Sequence, residues 1–273
     1  MSEITARQIA DVFEEIAPIE SGNPKDELGF VYGNPDSPVT GIACMWKADA
    51  SSIERAVQLG ADMLIVHEGL FLRLHESPWY SAPAREEDIL PNKLRRELLE
   101  KHGFVVYRSH SNWDALPVDG VVDQAANALG IEGLNVHAVD KYVKVHELKR
   151  PMSVSALAGH AKAGLGMPWV LVFGDEKREI KRFAFLVGGF GGNQPHMPQR
   201  AAEMGAEALI FGEMSEMLVI AALECGTPVI VTFHSASEIP ALKRQAEMLR
   251  ERFPGLKVEH VDSGALAFGA RSL

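Results

Sequence analysis

Ile4, Ile9, Val12, Phe13 and Ile16 recur at helical spacing and predict an amphipathic helix over residues 4–16. The same periodicity predicts helices over 49–59, 89–102, 121–129, 153–163, 198–204, 215–224 and 240–252. Asp49 or Ser51 caps the first of these, and Gly60 and Gly103 stop the first two. Short apolar runs between them predict buried strands at 39–45, 63–66, 104–107, 169–173, 182–187, 209–211, 229–231 and 265–268. Three stretches fit neither pattern. Residues 21–38 are rich in Gly, Asn, Pro and Asp and read as a loop. Residues 72–87, broken by Pro78 and Pro83, read as an insertion or lid. Residues 140–150 are polar and basic and read as a separator between two halves. Helices alternating with fully apolar strands give an α/β fold with sheets covered on both faces. Ligands in such folds sit beyond the carboxyl ends of the strands.

The chain also repeats itself at those ends. GADMLIVHEG at 60–69 and GAEALIFGEM at 205–214 share Gly-Ala-acid, an apolar run, and a Glu at one offset, Glu68 and Glu213. GFVVYRSHSNWD at 103–114 and GTPVIVTFHSASE at 226–238 share Gly, an apolar run and His-Ser, with an acid four residues after the His. The resulting pairs are His110/Asp114 and His234/Glu238. A supersecondary block used twice is implied, which points to a metal-dependent site in a cleft between two related α/β lobes. The lobes are expected at 1–125 plus 235–273 and at 126–234.

Composition narrows the function. A chain of 273 residues with 47% hydrophobic and 23% charged content can bury a full core. A net charge of -10 argues against nucleic-acid backbone binding as the main task. Two cysteines exclude a disulfide scaffold, and Cys44 and Cys225 read as small buried apolar residues. No secretion signal and no membrane-length apolar run is present, so a cytoplasmic location is expected.

Imidazole and carboxylate at strand ends suit a divalent first-row metal. His67 and Glu68 can reach one site only where the strand ends and turns, and Gly69 permits the turn; the plain alternative is a polar pair facing water. His110 and Asp114, and likewise His234 and Glu238, fall on one side of a helical turn at i and i+4. Asp114 also fits a helix first turn, and Ser235 with Glu238 also fits a capping box. The set exceeds one tetrahedral site and suits two metals sharing carboxylates, which lower the pKa of a bridging water. His110 is a metal neighbour or a proton shuttle. The run VGGFGGN at 187–193 reads equally as a phosphate cradle or a tight turn between strand and helix. The remaining histidines lack matched partners and read mostly as surface residues, Trp79 and Trp113 as core or lid packing, and Met204, Met214 and Met217 as core or cleft filler.

Five landmarks in order then carry a resemblance: DELGFVYG at 26–33, LIVHEGLF at 64–71, YRSHSNWD at 107–114, GGFG at 188–191 and FHSASE at 233–238. The chain resembles the Nif-three-like dinuclear metal-centre family (DUF34), whose members carry the name GTP cyclohydrolase type 2 homologue. The resemblance implies a two-metal site of Fe, Mn or Zn held by His67, Glu68, Asp114, His234 and Glu238, with His110 lining it. It also implies two interlocked α/β lobes of related topology with the metal cleft between them, and a ring-shaped homohexamer with the sites facing inward. The chain departs from the family pattern in three places. Glu68 stands for the second His of a double-His motif, Lys47-Ala-Asp49 for D-x-T, and Phe211-Gly-Glu213 for T-G-D. A Glu for a His hardens the site toward Mn or Fe over Zn. The expected function is a metal-dependent hydrolase of a small nucleotide-like substrate, with GTP cyclohydrolase-type activity as the family-implied form. A phosphoester hydrolase and a non-catalytic metal-binding or interaction protein are the alternatives.

Overall fold

The computed structural model describes residues 3–74, 85–140, 143–190 and 194–269. Most of the expected 72–87 insertion, with Trp79 and His75, lies outside them. The described residues divide into two compact units, Met1–Trp113 with Leu242–Ala267, and Asp114–Ala241 with Phe268–Leu273. The fold is mixed α/β with two sheets. No helix among the described residues is long and apolar enough to cross a membrane.

The first unit opens with helix α1 (Ala6–Ile16), started by a reciprocal Thr5/Gln8 capping box. It continues through β1 (Gly29–Tyr32), β2 (Gly41–Met45), α2 (Ala50–Gln58), β3 (Met63–Val66), α3 (Leu90–His102) and β4 (Val105–Arg108). Asp49 caps α2 by accepting from the Ser52 N–H, and Gly103 ends α3 at φ 66°. The turn α4 (Ser111–Asp114) carries the chain into the second unit.

That unit comprises α5 (Val121–Ala128), β5 (Asn135–Asp140), β6 (Val143–Ser153), α6 (Val154–Gly164), β7 (Leu171–Phe173), β8 (Glu179–Phe190), α7 (Met197–Glu203), β9 (Ala208–Met214), α8 (Glu216–Glu224) and β10 (Val229–Val231). Helix α9 (His234–Arg252) leads back to the first unit, where β11 (Lys257–His260) completes its sheet.

Strand order in the first sheet is β1-β4-β3-β2-β11, parallel except for β1. Met45, Leu64, Val66, Leu99, Phe104 and Val106 form a core cluster against it. The second sheet runs β5-β6-β8-β9-β10-β7. Alternate residues of β8 serve opposite faces: Phe183 and Phe185 join one buried cluster, Ala184 and Leu186 the other. Both faces of that sheet are therefore covered.

Several expectations are corrected. The 21–38 loop contains β1, a four-residue antiparallel edge strand whose Phe30 packs edge-to-face on Tyr107 at 5.3 Å. The 140–150 separator is mostly strand: Val143, Val145 and Leu148 point inward while Lys144 and Glu147 break the apolar run. Residues 265–268 form a 3-10 turn, not a strand, and β11 at 257–260 takes the edge position. Helix α9 starts at His234 rather than at Pro240, because its first turn is closed by the Ser237 N–H to Phe233 O at 3.0 Å and by Ser237 Oγ to His234 O at 2.7 Å.

Cys44 is buried as expected, but Cys225 is exposed at the end of α8, and Met217 is 62% exposed on that helix's outer side. Trp113 is fully buried and stacks on Phe13 at 4.9 Å. His146 is buried rather than superficial, stacked on Phe183 at 5.4 Å.

Candidate metal centre

In the first unit the parallel register aligns Met45, Val66 and Arg108 across β2, β3 and β4. The residues that follow therefore emerge side by side at one sheet edge: Trp46-Lys47, His67-Glu68 and Ser109-His110. The His67 and Glu68 N–H groups both donate to Trp46 O, at 3.2 and 2.8 Å, which turns the chain so that neighbouring side chains share one region. His67 is fully buried. Its Nδ1 lies 3.2 Å from Ser109 O, and its ring stands 4.7 Å from that of His110. A carbonyl can only accept, so His67 carries its proton on Nδ1 and directs a basic Nε2 to the other side of the ring. His67, His110 and Asp114 offer ligand atoms that all lie within 4.8 Å of one another. Glu68 Oε1 lies 3.8 Å from His110 Nε2.

Three basic side chains hold the backbone of the turn that follows β3. Arg108 Nε donates to His67 O at 3.0 Å, Lys47 Nζ to Gly69 O at 2.8 Å, and Arg95 Nη1 to Leu70 O at 2.9 Å. Burial pulls the Lys47 ammonium below its ordinary pKa, against the opposing pull of Glu68. Arg108 also pairs with Asp26 at 2.5 Å, and Asp26 reaches His110 Nδ1 at 2.7 Å. Burial opposes the Asp26 charge, but hydrogen bonds from His110, Ser111 and Arg108 hold its carboxyl well below the usual carboxylate range.

The second unit repeats the arrangement. Strands β9 and β10 are parallel, as β3 and β4 are, with Phe211 opposite Val231. Glu213 follows within β9, and His234 opens α9 three residues after β10 ends. His234 faces Glu213 Oε1 through Nδ1 at 3.4 Å and Glu238 Oε1 through Nε2 at 3.3 Å. Glu238 is buried. Two ligands bound to one ion at roughly 2.1 Å stand roughly 3.0–3.5 Å apart, so the His234/Glu238 spacing suits a shared metal.

The glycine run has a role that neither expectation described. Gly188 to Phe190 belong to β8, and 191–193 lie outside the described residues. A Cβ on Gly188 would stand 2.6 Å from Glu238 Oε1, and one on Gly189 would stand 2.9 Å from Glu213 Oε1 and from His234 Nδ1. The Gly188 N–H donates to Ser237 Oγ at 2.9 Å, which ties the strand to α9. These glycines leave room for the donor side chains.

Sequence reasoning singled out the strand-end histidines and acids but gave no role to Asp26, Arg108 or Arg95. Asp26 lies 84 residues from His110, and its one signal was its place in the first landmark.

The chain is similar to known proteins over nearly its whole length. The model of the Duf34/NIF3 (NGG1p interacting factor 3) family matches residues 4–265. A "GTP cyclohydrolase 1 type 2 homolog" of Neisseria meningitidis serogroup B is 31% identical over 215 residues, covering 79% of this chain and 80% of that protein. One of the same name from Escherichia coli K12 is 32% identical over 214 residues, 78% of each. The solved structure of a Bacillus cereus protein related to NIF3 superposes with a TM-score of 0.77 at 16% identity, covering 97% of this chain and 98% of that one, and so shares the fold. The chain belongs to the Duf34/NIF3 family.

Proposed function

We propose that these strand-end donors serve a two-metal centre, and that the protein is a metal-dependent hydrolase of a small nucleotide-like substrate. Asp114 and Glu238 would anchor the metals, with His67, Glu68 and His234 completing their shells. The observation that carries the reading is the orientation of His67 and His234. Each has Nδ1 within reach of an oxygen acceptor, Ser109 O and Glu213 Oε1, which leaves Nε2 as the candidate ligating nitrogen. Bound there, a divalent metal pair lowers the pKa of water and polarises a substrate oxygen. Glu68 makes the donor set richer in oxygen, which favours Mn or Fe over Zn. The names of the relatives support GTP ring-opening as the first substrate chemistry to try.

Asp114→Ala and Glu238→Ala are each expected to lower metal occupancy at least tenfold while leaving the circular dichroism spectrum and melting temperature close to those of the parent. Release of formate from GTP by the metal-loaded protein, absent in both variants, supports the cyclohydrolase form. Turnover of phosphoesters instead redirects the substrate class. Normal occupancy in both variants refutes the ligand assignment.

A further inference from the structure

His110 Nδ1 meets a side-chain carboxylate, that of Asp26. The partner is itself fixed. Asp26 Oδ1 accepts from Arg108 Nη1 at 2.5 Å, and Oδ2 accepts from His110 Nδ1 at 2.7 Å and from the Ser111 N–H at 3.2 Å. Arg108 Nη1 also donates to Glu27 O at 2.7 Å, and its Nε donates to His67 O. The Asp26 and Arg108 side chains are 13% and 7% exposed, so the pair is held in a largely dry setting. Three segments are joined through it: the 23–28 loop, the end of β3 and the end of β4.

We propose that Asp26 is a positioning residue for the reaction. It fixes His110 as the Nδ1–H tautomer, turning the Nε2 lone pair toward Glu68 and the metal-ligand side. Arg108 locks Asp26 in that duty by occupying its other oxygen. His110 Nε2 can then take a proton from water, giving an imidazolium whose Nδ1–H remains on Asp26. The same proton passes to the leaving group, which restores the neutral ring.

The inference rests on the proposed hydrolytic function for its kinetic consequence but not for its structural one, and the two are tested separately. Asp26→Asn is the informative variant. Arg108 cannot give up its protons, so it claims the amide oxygen, and the NH₂ group is left facing His110 Nδ1. His110 must then accept at Nδ1 and carry its proton on Nε2. Long-range ¹⁵N–¹H correlation of the imidazole in metal-free protein, at a pH where the ring is neutral, reads the tautomer directly. Nδ1–H in the parent and Nε2–H in Asp26→Asn is the expected pair. Nε2–H in the parent, or an unchanged tautomer in the variant, overturns the proposal, and the parent spectrum alone decides if the variant does not fold. On a substrate that the loaded protein turns over, Asp26→Asn should lower kcat by roughly 10²–10⁴-fold with KM nearly unchanged and metal occupancy retained. An equal kcat overturns the kinetic part. The expected tautomers in a protein that takes up no metal would instead sink the proposed function while leaving this assignment standing.

Discussion

His146 shows how one side chain sets a property that nothing in its sequence neighbourhood announces. It sits on β6 between Val145 and Glu147, buried, with Nδ1 lacking a hydrogen-bond partner. Burial lowers its pKa from 6.5 to about 4, with nearby Asp123 pulling up and Lys144 pulling down. The unfolded chain binds the proton first as pH falls, so stability is intact above 6.5 and declines toward about 4. The loss at the acid end is on the order of 3 kcal/mol. His146→Phe keeps the stacking on Phe183 and removes the titration. Its melting temperature should fall less than the parent's between those two pH values, and parallel curves would contradict this. The candidate metal ligands were easier to read at this scale. His110/Asp114 and His234/Glu238 share one four-residue spacing, and each pair follows an apolar strand. Asp26 and Arg108 were not readable, since only the folded sheet edge brings an 84-residue separation to 2.7 Å.

At the scale of elements, legibility followed chemistry. Strands β3 and β10 match their predicted bounds because each is short, apolar and flanked by a polar strand end. Helices α2 and α6 begin where Asp49 and Ser153 cap them. β6 was hidden because Lys144, Glu147, Lys149 and Arg150 interrupt its buried positions, and a polarity count over 140–150 reads the stretch as linker. The start of α9 was hidden because Pro240 lacks an N–H donor and marks a break, whereas the Ser237 bridge sustains the turn before it. The glycines of β8 yield a prediction at this scale. Gly188 sits at φ +77°, and a methyl there meets the Glu238 carboxylate at 2.6 Å. Gly188→Ala should therefore weaken metal binding at least tenfold and cost about 1–2 kcal/mol of stability through backbone strain. Titration calorimetry with Mn²⁺ measures the first effect and denaturant unfolding the second. Unchanged affinity would show that the glycine serves packing alone.

For the whole molecule, the duplicated sequence blocks became paired parallel strands, β3/β4 in one unit and β9/β10 in the other, each followed by a His at or just before a helical turn that carries an acid. One block, used twice, places a histidine and an acid after each strand pair. Elemental analysis of protein purified without chelator or affinity metal tests the central claim most directly. About two Mn, Fe or Zn ions per chain is the predicted result. No metal, with none taken up on reconstitution, would contradict it and leave the strand-end histidines and carboxylates as structural groups.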